Sequence, residues 1–355
     1  MLDTTVERRI MAALAHEEAD RVPIWDFIDN RAIVDHICPG WTDYDSAMVR
    51  VYHTLGIDVC RGYGASYAES DDGSVTRSDE HAETRVSGRS NWMTRYPIRS
   101  IEDLRAFSAE PVSEAWARDE WIPWLRRERE RFEPWTMYVP CVGSGFHATY
   151  GLMGQELFSY AIYDAPAALE RVMEAQVESA VRMARAAAEA RLSPIYFIGD
   201  DIAYKGALLF SPAYLRRAFV PALRRCVEPI KNAGMYVVFH SDGYVMDVMD
   251  DLLDCGIDGL NPIEPLAGMD IGLLKRRYGR RLALVGNVDC SQILPLGSPE
   301  DVVAATRTCL REAGRGGGLL IGSSSEVVPC TPVANILAFY EACRTWGAYP
   351  LRPDV

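Results

Sequence analysis

His240 and Asp242 stand two residues apart, directly after the apolar run 235–239 and so at the end of an expected strand. An imidazole and a carboxylate at that spacing can meet one metal ion if the chain bends back, or act as an acid–base pair. Two ligands do not complete a zinc site, and Glu264, Glu326 or Asp201 could supply the remainder. Asp200 and Asp201 are adjacent, so along an extended backbone their side chains point to opposite sides. Asp201 leads into Tyr204-Lys205-Gly206, which brings a phenol and a cation toward the same region. Cys330, between Pro329 and Thr331-Pro332, is expected to point away.

These groups need a scaffold that collects them. Apolar strand patterns fall at 22–25, 57–60, 136–139, 195–198, 236–239, 259–262, 282–285 and 319–321. Helical patterns fall at 101–132 and near 150–191, 212–233, 245–255, 270–278, 299–313 and 333–346, after an opening helix that Thr4 or Thr5 could cap. Eight strands, nearly all separated by helices, predict a single (β/α)8 barrel domain over 1–355, with N-terminal helices. An open doubly wound sheet competes less well, because no GxGxxG turn follows the first strand. Residues 64–98 break the pattern, being polar with short alternating stretches, and are read as a β-hairpin excursion.

In such a barrel the strands' C-terminal ends form the site. The residues falling there are Asp26, Arg61, Tyr63, the stretch 141–147, Asp200, Asp201, His240, Asp242, Glu264, Asn287, Asp289 and the stretch 323–326. His240, Asp201, Glu264, Glu326 and Lys205 form the candidate catalytic set, with His240, Asp242 and Glu326 as metal donors. Asp26, Tyr63, Tyr204, Asn287, Asp289 and Ser325 are the candidate substrate contacts. A dense ionisable ring argues against passive binding, since desolvating such charges is costly.

The 355-residue chain has 37 Lys and Arg against 50 Asp and Glu, a net charge of −13. That disfavours nucleic acid and anionic membrane surfaces as partners. No apolar run reaches the roughly 18 residues of a membrane span. The charged start and the nine scattered cysteines, with no CxxC pair, fit a cytoplasmic protein. Walker, GxSxG and HExxH motifs are absent, and Gly316-Gly317-Gly318 precedes a strand rather than a helix, so it reads as a flexible turn.

The chain resembles the uroporphyrinogen decarboxylase superfamily. The resemblance is carried, in family order, by ERRIMAALAHEEADRVPIWDF, GDDIAYKGALLFSPAYLRRAFVPALRR, VVFHSDG, DGLNPIEPLAGMD, LVGNVDCSQILPLGSPEDV and GSSSEVVPCTPVANI. It too implies a (β/α)8 barrel with a cleft at the C-terminal mouth. Porphyrinogen decarboxylases carry an arginine-rich motif of the RQAGRY kind, whereas this chain reads VPIWDFIDNRAIVD in its place. The strand ends here are also mostly acidic, unsuited to a polycarboxylate. The resemblance therefore points to the branch that moves methyl groups to or from a corrinoid. Members of that branch bind zinc through a His-x-Cys pair after strand five and a cysteine after strand eight. His240 matches the histidine, but Asp242 stands at the first cysteine and Ser325 or a neighbour at the second. The resemblance thus implies zinc or another divalent metal on nitrogen and oxygen donors, or no metal, and an oxygen- or nitrogen-bearing methyl substrate or a pterin rather than a thiol. With no DxHxxG motif in the chain, the corrinoid would come from a partner protein. The alternative is a cofactor-independent decarboxylase or lyase acting on a small carboxylic acid or tetrapyrrole. The assembly is expected to be a monomer or homodimer.

Overall fold

The computed structural model describes residues 1–64, 74–78, 83–87 and 90–355. Its centre is a closed parallel (β/α)8 barrel. The first strand, at 22–25, joins by single bridges, Ile24 to Ile321 and Trp25 to Val59. Strand two is Val59–Cys60 and pairs in register with Met137–Tyr138 of strand three. Cys141–Val142 then pairs with strand four, Ile195–Gly199. Strands five to eight are Tyr236–His240, Gly259–Asn261, Ala283–Val288 and Leu319–Ser323, each parallel to its neighbour. The Ile24–Ile321 bridge closes the ring.

Strand three continues past the expected run at 136–139 and is interrupted at Pro140. Pro140 has no N–H to give to a ladder, so only its carbonyl contributes, accepting from Phe197. Proline and glycine also divide the long helical stretches. The expected helix near 150–191 is three helices, Phe146–Gly151, Gly154–Asp164 and Pro166–Ala190. Pro111 falls in the break between Ile101–Ala106 and the helical run that starts at Glu114. The opening helix, Thr4–Leu14, is capped by Asp3 and not by a threonine, because the Asp3 carboxylate reaches the Thr5 and Val6 N–H groups.

Inside the barrel, Trp25, Val59, Met137, Val139, Ile195, Phe197, Val238, Ala283, Val285 and Leu320 pack as one apolar cluster. Val6, Ile10, Ala13 and Leu14 of the opening helix join it, so this helix plugs the N-terminal end. Arg9 ties the plug down through ion pairs to Asp20 and to buried Asp58, which also accepts from Arg21 and from the Ile24 N–H. The opening helix thus fills the N-terminal end of the barrel interior, and the strand ends that carry the polar residues lie at the opposite, C-terminal mouth.

The excursion between strands two and three contains a three-stranded antiparallel meander, Ser74–Ser78, Glu83–Ser87 and Ser90–Arg95. The rest of the expected hairpin segment at 65–73, 79–82 and 88–89 lies outside the described residues. No helix of the described residues is long and apolar enough to cross a membrane.

Candidate functional site

Side chains alternate along a strand, so the residue two positions beyond an inward-facing one also faces in. Val59, Phe197, Val238 and Val285 face the barrel interior. Two residues further along their strands come Arg61, Gly199, His240 and Asn287, which makes the top layer of the barrel polar. The His240 ring rests beside Phe197, with centroids 5.5 Å apart.

The structure brings His240, Asp201 and Asp242 together. His240 Nε2 lies 3.8 Å from Asp201 Oδ1 and 3.8 Å from Asp242 Oδ1. One donor atom from each of the three residues lies within 4.8 Å of the others. On its other side His240 Nδ1 is 2.6 Å from Asn261 Oδ1, and Asn261 Nδ2 donates to the Val285 carbonyl. The Asp242 N–H donates to Asp201 Oδ1 at 3.0 Å, which draws the two loops together. Asp242 is partly exposed as a residue, yet its Oδ1 is buried and has no hydrogen-bond partner. Burial raises the Asp242 carboxyl above the usual carboxylate range, Asp201 raises it further, and His240 pulls the other way.

This donor set fits a divalent ion. It offers one imidazole nitrogen with a fixed opposite edge, two carboxylates and one orphaned buried oxygen. Glu326 stands outside the cluster. It sits half-buried on the strand-eight side of the mouth, where burial and then the charge of Asp29 push its carboxyl up to about 7.

Asp200 and Asp201 part as adjacent residues in extended chain must. Asp200 is buried and accepts the Ser144 and His147 N–H groups at 2.5 and 2.7 Å, so it pins the loop after strand three. Asp201 faces His240 and also lies 3.7 Å from His147 Nδ1. His147 stacks on Tyr150 at 4.6 Å. These two, with Asp201, Tyr204, Asp242 and Glu264, help line an open cavity of about 720 Å³. Glu264 accepts the Gly243 N–H at 3.0 Å. Gly243 has φ +89°, and a Cβ there would come within 2.5 Å of the Tyr204 nitrogen, so only glycine allows this approach of the two loops.

Several other expected contacts lie elsewhere. Asp26 is fully buried and faces away from the cavity, because inward Trp25 precedes it. It accepts from the Ser323 N–H and hydroxyl, from the Tyr340 hydroxyl and from the Phe27 N–H, so it belts strand one to strand eight and the last helix. Burial still pushes it up to about 6. The Tyr63 phenol donates to Asp45 and accepts from Arg131, and its ring packs on Tyr44 and Phe132, which makes it part of the helical wall. Asp289 Oδ1 caps the Gln292 and Ile293 N–H groups. Lys205 is exposed at a hairpin tip and not part of the cavity lining; burial raises the Glu264 carboxyl, and the Lys205 charge only partly opposes this. Asn287 is buried at the end of strand seven, and Ser325 stands beside Asp242.

Sequence reasoning missed Asn261 and underused His147. The register of strand five against strand six, His240 opposite Asn261, is the signal that identifies Asn261, and it requires the sheet.

The sequence profile of the uroporphyrinogen decarboxylase family matches residues 93–346, and the chain belongs to that family. Among curated relatives, it is 27% identical over 173 residues to the Methylcobamide:CoM methyltransferase MtaA of Methanosarcina barkeri, covering 49% of this chain and 48% of the relative. It is 33% identical over 84 residues to a uroporphyrinogen decarboxylase of Coxiella burnetii, covering 24% and 23%. It is 22% identical over 216 residues to a methylated-thiol–coenzyme M methyltransferase of Methanosarcina mazei, covering 61% and 55%. The chain thus spans about half the length, or less, of the curated relatives it matches. A solved methyltransferase structure from Methanosarcina mazei superposes with a TM-score of 0.71 at 21% identity, covering 96% of this chain and 99% of that one, and shares the fold.

Proposed function

We propose that the protein is a methyltransferase that moves a methyl group between a small O- or N-methyl substrate and a corrinoid carried by a partner protein, assisted by a divalent ion. The observation that carries this reading is the His240–Asp201–Asp242 cluster, with its orphaned Asp242 oxygen, on a family barrel whose relatives include methylcobamide and methylated-thiol methyltransferases. His240, Asp201 and Asp242 would hold the ion, which supplies Lewis-acid polarisation of the substrate's heteroatom when bound. The Asn261 amide holds the imidazole edge-on, so Nε2 faces the two carboxylates. Glu326, pushed up to about 7, keeps a proton available near neutral pH for a leaving oxygen or nitrogen. Oxygen and nitrogen donors replace the thiolates that suit thiol chemistry, so the substrate is assigned to the harder oxygen and nitrogen class.

A second reading, proton donation in a small-acid decarboxylation, draws on the same Glu326 carboxyl and on the decarboxylase relative. One experiment separates them. The purified protein is mixed under reducing conditions with free cob(I)alamin and a panel of methoxy and N-methyl acids. Loss of the cob(I)alamin absorbance with methylcobalamin formation, abolished in His240→Ala, is expected. Carbon dioxide release from the panel without corrinoid, and no methylcobalamin, would replace methyl transfer by the lyase reading.

A further inference from the structure

Arg61 is a cation of the mouth that the cluster does not use. Arg61 follows Val59 by two residues and therefore points into the barrel. Its guanidinium lies 4.5 Å from the Phe27 ring centroid and 5.4 Å from that of Phe197, the same ring His240 leans on. It also reaches the Cys141 thiol. Among the described residues no carboxylate lies within ion-pair distance of it. Other partly buried arginines behave differently. Arg9 and Arg21 pair with Asp58, Arg131 with Glu128 and Asp45, and Arg182 with Glu178.

An arginine held between aromatic faces keeps its planar donor fork rigid and largely unspent. Here it does so in a mouth where Asp242 and Glu326 are close enough to feel its charge, yet neither closes on it. Such a fork suits a planar, bidentate oxyanion. A single fork suits one anionic group, not the several of a porphyrinogen.

We propose that Arg61 is a substrate-binding residue that takes the anionic end of a small monoanionic substrate, a carboxylate or sulfonate, while the methylated heteroatom faces His240. The inference deepens the methyl-transfer reading by naming the substrate class, and it rests on that reading only for the identity of the reacting end. Half-buried Phe27 supplies an apolar face for the few carbons between the two ends, while Phe197, fully buried, backs the guanidinium from below.

The test is direct binding by calorimetry to the full chain, with no turnover required. The probes are 4-methoxybenzoate and methoxyacetate, each against its neutral amide of the same shape, and 4-methoxybenzenesulfonate as the sulfonate arm. The wild-type protein is expected to bind at least one acid about tenfold or more tightly than its amide. Arg61→Met should erase that preference, and Arg61→Lys should restore part of it, with thermal melting showing that both variants fold. Equal binding of acid and amide, or no binding of either, overturns the proposal, as does a preference that survives in Arg61→Met. Acid binding that depends on Arg61 without any methylcobalamin formation would leave the anion site standing and remove the methyl-transfer reading instead.

Discussion

Asn261 Oδ1 lies 2.6 Å from His240 Nδ1, while the other end of the Asn261 amide donates to the Val285 carbonyl. That second bond fixes which end of the amide faces the imidazole. An amide oxygen only accepts, so Nδ1 carries the ring hydrogen and Nε2 offers its lone pair toward Asp201 and Asp242. Asn261→Ala is expected to lower metal affinity by about 10- to 100-fold, the usual cost of losing an outer partner of a ligating histidine. Titration with a competing chelator measures it. Unchanged affinity would mean that the ring needs no such support.

The barrel seam sets the next prediction. A Cβ at Gly322 would overlap the Trp25 carbonyl oxygen, at the point where strands one and eight meet. Gly322→Ala should destabilise the fold by about 1–3 kcal/mol or more through overpacking. Chemical denaturation of both proteins reads the difference. A variant as stable as wild type would show that the seam can relax.

Asp26 makes stability depend on pH in an unusual direction. Its carboxyl is pushed up from 3.8 to about 6 by burial. The folded state therefore holds this proton more tightly than the unfolded chain does. The penalty is absent below pH 4, grows as pH rises through the interval and is complete above about 6, where it amounts to about 3 kcal/mol. Relative to wild type, Asp26→Asn should thus gain stability as pH rises from 4 to 7. Melting temperatures across that range test it, and a constant offset between the two proteins would contradict it.

Glu326, pushed up to about 7, should impose the fall on the alkaline side of the activity profile, because loss of its proton removes the acid. Glu326→Gln should lower the rate and flatten that limb. If the limb persists in the variant, another group is the acid.

Most of the barrel is legible in the sequence because parallel strands buried on both faces read as short apolar runs between helices. The interruption at Pro140 and the helix breaks around Gly154 and Pro166 also have local signals, but which way the chain turns there depends on packing. The site is less legible. His240 and Asp242 show themselves by following an apolar run, yet Asp26 follows one just as closely and turns outward. The difference is strand parity, which shows only once Trp25 is known to face in. Asp201 and Glu326 are both carboxyl side chains that follow a strand, and only the N–H of Asp242 reaching Asp201 shows which of them joins the histidine. Asn261 carries no chemical signal at all until strand register places it opposite His240.

The central claim is that His240, Asp201 and Asp242 hold one divalent ion on nitrogen and oxygen alone. Elemental analysis combined with X-ray absorption at the metal edge tests it on protein purified without chelator. The expected result is about one ion per chain with a nitrogen and oxygen shell near ~2.0–2.1 Å, lost in His240→Ala and unchanged in Cys330→Ala. Metal below roughly a tenth of an equivalent after loading with zinc, or a sulfur shell near ~2.3 Å, would contradict it.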